Sequence, residues 1–235
     1  MKVFFEEYKT DYKNYVFGYR TWAEMESSDK IEEIYKMGFL PYSGGENRKN
    51  LFYLARSLRV DLKKFKPNSE NRRISKKINL GFERKLIPIN DFNIEDKDFL
   101  NFCNKYFKER HRMDILKSGK LEKIVKSGIL SHIVEYTDNE GEIIGYVFLV
   151  AGKKISHFWF SFYDLAYIRR YLGLWMMMNE ILEAQKEKKE FMYLGTCYGD
   201  KALYKTNFDF IEWWTGKEWS KDRNFLRKKA REEIV

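Results

Sequence analysis

The sequence predicts an α+β protein with a mixed, largely antiparallel sheet flanked by helices. Three observations lead there. From residue 130 the pattern is that of strands: "LSHIVEY" and "EIIGYVFLV" flank "TDNEG", a hairpin signal, and "KISHFWFSF" follows as a third strand. An amphipathic helix, "LWMMMNEILEAQKEKK", places Leu174, Met178, Ile181 and Leu182 on one side. A further strand, "FMYLG", comes next, and a meander followed by a helix and a strand is an α+β order, not an all-β one.

Upstream, residues 29–37 read as a helix. Asp29 and Glu32 have capping-box spacing, Ile31, Ile34 and Tyr35 form an apolar stripe, and Gly38 stops it. "PYSGGENRKN" is a turn-rich loop, and "LFYLARSLRVDL" supplies strand alternation at Leu58, Val60 and Leu62. Pro67 opens "PNSENRRISKKI", where Asn68 or Ser69 can cap a basic helix with Arg72, Arg73, Lys76 and Lys77 on neighbouring turns. Residues 95–110 form an amphipathic helix in which Cys103 shares a face with Phe99, Phe102 and Tyr106, and residues 120–126 form a short one. After "FMYLG", "DFIEWWTGKEW" reads as a closing strand pair and the chain from Ser220 as a basic helix. The expected organisation is an N-terminal α/β domain (1–80), a larger domain (81–219) and a C-terminal helix (220–235).

The chain has 235 residues, 17% of them aromatic, enough for a sizeable core and unlike a disordered composition. No apolar run approaches the ~20 residues of a membrane span, and the N-terminus lacks the apolar stretch of a signal peptide, so no membrane partner is expected. Cys103 and Cys197 lie far apart, and His111, His132 and His157 show no ligand spacing, so no metal site is expected and a reducing cytoplasm is the default compartment. Net charge is +9, concentrated in residues 56–77, where nine basic residues face Asp61 and Glu70. Such a patch suits a polyanion, either a nucleic acid or a cofactor's phosphates, and it also fits a solvated face.

Three stretches could carry chemistry. In "RRYLGLW", Arg169, Arg170 and Gly173 precede a helix start whose free N–H groups can hold a phosphate or an oxyanion; Gly173 could equally relieve a tight turn. In "FYD", Asp164 could cap a turn or could orient and deprotonate an amine, whose pKa is near ~8. Tyr163 beside it could donate a hydrogen bond or pack. "YLGTCYGDKALYKTNF" places Tyr198, Lys201, Tyr204 and Lys205 in a loop longer than a strand turn needs.

The element order resembles the core of the GNAT acyltransferase fold, with a smaller GNAT-like part at the N-terminus. In those acetyltransferases a loop of Arg or Gln, then Gly, then a small residue binds the pyrophosphate of coenzyme A. Here Arg170 and Gly173 fit, but Trp175 fills the third position. Together, "FYD…LG", "YLG…YK…F" and the upstream "LFY…LRV" and "NRR" resemble the arginyl-tRNA–protein transferases and the related bacterial leucyl-tRNA transferases, over residues 15–219. The family's Tyr-Leu-Gly and Tyr-Lys map onto Tyr193, Leu194, Gly195, Tyr204 and Lys205, and its basic helix onto Ser69, Asn71, Arg72 and Arg73. The family's early Cys-Pro-Tyr and Cys-x-x-Cys are replaced by "FGYRTW" and "FYLARSLRV", so the metal or iron–sulfur cluster tied to them is not expected.

This resemblance implies an aminoacyltransferase. It takes charged tRNA as co-substrate, with no other cofactor, and acts on a protein or peptide with a free N-terminus. Asp164 would orient or deprotonate the amine, with Tyr163 and Lys205 beside it. Tyr198 and Tyr204 would stack unpaired bases, and Lys201 and Lys205 would meet phosphates or developing charge. Arg59, Asn71, Arg72 and Arg73 would hold tRNA or an acidic acceptor, and backbone N–H groups near Gly173 or Tyr193 would serve the oxyanion. An acyl-CoA N-acyltransferase and a non-catalytic RNA- or partner-binding relative are the alternatives.

Overall fold

The structure is a computed structural model, which describes residues 1–11, 13–14, 16–26, 31–44, 48–78 and 81–233. Asp29, half of the expected capping box, lies outside the described residues. The chain opens with a hairpin, β1 (Lys2–Asp11) and β2 (Val16–Glu24), followed by α1 (Ile31–Lys36), β3 (Phe39–Pro41), β4 (Leu51–Leu54), β5 (Ser57–Asp61) and α2 (Ser69–Ile78). Then come β6 (Glu83–Pro88), α3 (Lys97–His111), α4 (Lys120–Val125), and the meander β7 (His132–Thr137), β8 (Ile143–Ala151) and β9 (Ile155–Tyr163). Helix α5 (Leu172–Lys186), β10 (Phe191–Thr196), β11 (Ile211–Trp214), β12 (Trp219–Ser220) and α6 (Arg223–Arg231) complete it.

Among the described residues the strands form two sheets, one of order β1-β2-β4-β3 and one of order β12-β11-β5-β10-β9-β8-β7-β6. The larger sheet is antiparallel except for β9 and β10, which run parallel because α5 crosses between them. This is the α+β arrangement, a largely antiparallel sheet flanked by helices, that the element order predicts. Strand β5 lies between β10 and β11, so the expected boundary near residue 80 does not coincide with a break between sheets.

Helices cover both faces of the sheet. Val147 and Leu149 of β8 pack with Met176, Met177 and Ile181 of α5, whereas Tyr146 and Phe148 pack with Phe99 and Cys103 of α3. The alternation is the period-2 rule of a strand buried on two sides. Asp96 caps α3 by accepting from the Phe99 N–H at 2.9 Å. Strand β6 escapes the sequence reading because it is a mostly exposed edge, "ERKLIP", held by backbone pairing to β7. Strand β1, an exposed edge paired to β2, escapes it for the same reason.

One buried ionic contact ties the edge to the helix layer. Glu180 of α5, only 2% exposed, accepts from the Arg84 Nε and Nη2 at 2.8 Å each, and from the Tyr136 hydroxyl. Replacing Glu180 by Leu strands the half-buried Arg84 guanidinium. Urea denaturation should show a loss of about 3 kcal/mol, and an unchanged midpoint would show that the pair contributes nothing.

Candidate active site

The site begins where two neighbouring strands part. β9 and β10 pair at Phe191↔Ile155, Met192↔Ser156 and Tyr193↔His157, and β9 then runs on alone on that side to Tyr163. Both arms carry an irregularity at this point. The β8–β9 register slips between Phe148/Phe160 and Leu149/Phe158, and the β10–β5 register slips between Tyr193/Arg59 and Thr196/Ser57. Bulges bend strands, so the arms diverge and leave a V-shaped cleft with His157 and Tyr193 at its apex.

The segment after β10 folds back into this cleft. Residues 200–207 form a 3₁₀ turn that brings Lys205 beneath the strand end, where its Nζ donates to the Thr196 carbonyl at 3.0 Å. Burial lowers the Lys205 amine to about 8, with Cys197 opposing. His157 shares Nδ1 with the hydroxyl of Tyr35 at 2.9 Å. Burial first, then the Lys205 charge, lowers His157 to about 3, so its ring is neutral at physiological pH. Its Nε2 is buried and, among the described residues, has no hydrogen-bond partner. Gly195 lies over both groups in the left-handed region at φ +80. A Cβ there would lie 3.5 Å from Lys205 Nζ and 3.9 Å from His157 Nε2, with no other described atom outside its chain neighbours within 4 Å.

The outer cleft is tyrosine-lined and positive. Tyr163, ending β9, stacks at 4.9 Å from Tyr106 of α3. Tyr204 is 42% exposed, yet burial, then Tyr163, raise its hydroxyl to about 12. A ring that is accessible while its hydroxyl is desolvated lines a concave surface. His111 is lowered by burial and then by Arg110, Lys120 and Lys201, so those three cations lie near its ring.

Several expected binding residues are placed elsewhere. Arg59 is not on the surface: it is 8% exposed, pairs with Glu212 at 2.7 and 2.9 Å, donates to the Tyr193 hydroxyl at 3.2 Å, and sits between the Phe191 and Trp219 rings. A guanidinium so paired and covered cannot reach a phosphate. Tyr193, 1% exposed, is a wall of the apex and not a stacking platform. Asn71 is buried, and with Asn68 it makes a reciprocal cap of α2, Oδ1 accepting from the partner's N–H at 3.2 and 3.0 Å. Arg73 pairs with Glu70 on its own helix and lies over Tyr171, while Arg72 donates to the Pro67 carbonyl.

Gly173 exists for close packing, since a Cβ there would come within 2.6 Å of the Tyr163 ring. With Trp175 packed on Phe82 and Tyr136, the helix start is filled by side chains. Arg169 and Arg170 end a 3₁₀ turn (Leu165–Arg170), and their side chains lie outside the described residues. Asp164 takes the capping alternative, its Oδ1 accepting from the Ala166 N–H at 2.9 Å. Tyr198 accepts from the Arg56 N–H at 2.9 Å, and the Arg56 guanidinium covers one face of its ring at 4.7 Å. The cleft therefore gathers Tyr163, Gly195, Lys201, Tyr204 and Lys205 from the expected set.

Tyr35, Tyr106, Arg110 and His157 are the residues that sequence reasoning missed. His157 sits inside a plain strand pattern, and only its cross-strand neighbour reveals it. The basic run "KERHRMD" was a signal for Arg110 and His111.

A family profile, "Arginine-tRNA-protein transferase, C terminus", matches residues 98–215, the stretch from α3 to β11 that builds this cleft. The chain belongs to the arginine-tRNA-protein transferase family. It is 23% identical over 169 residues to an aspartate/glutamate leucyltransferase from Saccharophagus degradans, covering 69% of each chain. Among solved structures it is similar to the C-terminal domain of a putative lysylphosphatidylglycerol synthetase from Agrobacterium fabrum (13% identity, TM-score 0.45, 61% of this chain and 46% of that one). It is also similar to L-PGS from Bacillus licheniformis (13% identity, TM-score 0.44, 75% of this chain and 57% of that one). The chain thus spans about half the length of these two structures. In this transferase no helix among the described residues is long and apolar enough to cross a membrane, and no three His, Cys, Asp or Glu side chains among them converge as a metal site.

The apex titrates in a characteristic way. Lys205 falls from 10.5 to about 8 on folding, so between those values only the unfolded chain holds the proton, and stability rises with pH. Below 8 the charge is held buried at full cost. Lys205→Met should therefore stabilise the protein at pH 7 by about 1–2 kcal/mol, part of the gain being offset by the lost Thr196 bond. It should also flatten the alkaline limb of a denaturation series; an unaltered limb would place the amine in water. His157 works at the acid end: lowered from 6.5 to about 3, it takes a proton in that window only when unfolded, so stability falls as pH drops through it. His157→Gln should flatten that limb.

Proposed function

We propose that this transferase moves an amino acid from charged tRNA to the free α-amine of a protein or peptide, in the cleft between β9 and β10. The observation that carries the reading is that the family match covers the elements lining the cleft, which also holds a lysine whose amine burial lowers to about 8, with three cations near His111. The aminoacyl ester is already activated, so the reaction needs no cofactor beyond charged tRNA. The α-amine nitrogen attacks the ester carbonyl, the new amide C–N bond forms, the ester C–O bond breaks, and the terminal ribose oxygen leaves with a proton. The chain's part is placement and charge stabilisation. Arg110, Lys120 and Lys201 meet phosphates near the tRNA 3′ end, and Tyr163 and Tyr204 offer rings for its bases. The name of the leucyltransferase relative supports an acceptor beginning with Asp or Glu. The filled helix start around Gly173 and Trp175 speaks against a coenzyme A pyrophosphate there.

The test is transfer of labelled amino acids from a mixed charged-tRNA pool to peptides with different N-termini, with acetyl-CoA as the competing donor. Transfer from tRNA to acidic peptides is expected, and acylation from acetyl-CoA alone would refute the reading. In filter binding, Arg110→Ala with Lys201→Ala should weaken tRNA binding and reduce the slope of log K against log salt by about one unit per lost contact. Arg59→Lys should leave that slope unchanged, since Arg59 is buried in its ion pair.

A further inference from the structure

His157 and Lys205 face the same small space, and neither is explained by packing. His157 is 1% exposed, yet its Nε2 has no hydrogen-bond partner among the described residues. A buried polar nitrogen left without a partner is costly and uncommon. Its other nitrogen is fixed. The Tyr35 hydroxyl is fully buried and raised well above its ordinary pKa, so it keeps its proton, and its described partner is His157 Nδ1 at 2.9 Å. The hydroxyl therefore donates, Nδ1 accepts, and the ring proton sits on Nε2, pointing at the space beside Gly195. Lys205 Nζ spends one of its protons on the Thr196 carbonyl and borders the same space. The spot is lined by two donors: apart from Gly195 and its chain neighbours, the described atoms within 4 Å of a Cβ built on Gly195 are those two nitrogens.

We infer that this niche is an oxyanion subsite: His157 Nε2–H and Lys205 Nζ together hold the carbonyl oxygen of the aminoacyl ester as the tetrahedral intermediate forms. The inference rests on the transferase reading above. When the amine nitrogen adds to the carbonyl carbon, the π electron pair moves onto that oxygen. It returns when the ester C–O bond breaks. Donors fixed in a desolvated apex act on charge that exists only during this step, so they raise kcat and leave ground-state binding alone. The niche lies beside Tyr193↔His157, the last of the β9–β10 pairs, where the two strands part. Tyr35 is a positioning residue, because it holds the tautomer and touches no substrate. Gly195 keeps the niche open with its left-handed backbone and missing side chain.

The experiment has two independent readouts. In ¹⁵N-histidine NMR of the free protein, His157 should appear as the neutral Nε2–H tautomer from pH 8 down to at least pH 5; an Nδ1–H tautomer overturns the inference. For kinetics, Tyr35→Phe is combined with His157→Leu, which removes both polar partners together, or with His157→Gln, whose amide N–H can reach the Nε2 position. The Leu pair should lose kcat by 10²–10³-fold, the usual effect of one oxyanion donor, with an unchanged KM for charged tRNA and an unchanged preference between Asp- and Ala-peptides. The Gln pair should recover at least tenfold of that loss at a similar melting temperature. Full kcat in a folded Leu pair overturns the inference. So does a raised KM for Asp-peptides at retained kcat, which would give the niche to the acceptor's carboxylate. If the Leu pair does not fold, Gly195→Ala, which puts a methyl group in the niche, should show the same kcat loss; full activity overturns the inference. A wild type that transfers from no charged tRNA sinks the transferase reading and this inference with it, whereas an active wild type with equally active variants sinks this inference alone.

Discussion

The parting of β9 from β10 is the constraint on which the rest of the molecule depends. Three residue pairs hold the two strands together, and then each arm carries a register slip that turns it away from the other. A sheet opened in this way exposes unpaired backbone and would be unstable unless its floor were closed by other elements. Here the 3₁₀ turn at 200–207 closes it from the strand side, α3 from the opposite face, and α1 contributes Tyr35 from below. The functional side chains come from these covering elements and from the parting strands, which carry His157, Tyr163 and Gly195. The opening in the sheet and the active cleft are one feature.

Charge is handled differently at the centre of the sheet and at the apex of the cleft. Arg59 is saturated by Glu212, Tyr193 and two aromatic rings, and it links β5, β10, β11 and β12. Removing either partner would leave an uncompensated buried charge, which makes the pair an anchor and not a binding group. Among the described residues Lys205 has a carbonyl partner and no carboxylate, and burial pushes its amine toward neutrality. A group held at such a cost, next to an unpartnered imidazole nitrogen, marks a place where stability yields to chemistry.

The long loop after β10 is anchored at its start. Arg56 grips the Cys197 carbonyl and Glu233, stacks on Tyr198, and so pins residues 197–199 to the end of α6. With that end fixed, the 3₁₀ turn can carry Tyr204 outward into the cleft and Lys205 inward to the apex. Adjacent residues thereby serve opposite sides of one wall. Gly173 serves the same site from another direction, since its missing side chain lets the Tyr163 ring lie against α5.

The sequence by itself determined the helices α2 to α6 and the strands β7 to β11, because each buries a periodic apolar face whose spacing is written in consecutive residues. It also carried the family pattern, whose Tyr163, Gly195, Tyr204 and Lys205 the fold brings near one another. It did not reveal β1 and β6, which are mostly exposed and exist through backbone pairing that imposes little side-chain pattern, nor β2, which pairs with β1 and, among the described residues, buries only Trp22 and Ala23. Only the tertiary structure decided the fate of the polar residues. Arg59 and Arg110 are both arginines in basic stretches, yet one is locked in the sheet and the other faces the cleft. His157 reads as one more residue of an apolar strand until Tyr35, Lys205 and Gly195, each distant in the chain, are brought against it. Burial, partner and protonation state are properties of what surrounds a side chain, and those surroundings are assembled by strand register and crossover, which no local pattern contains.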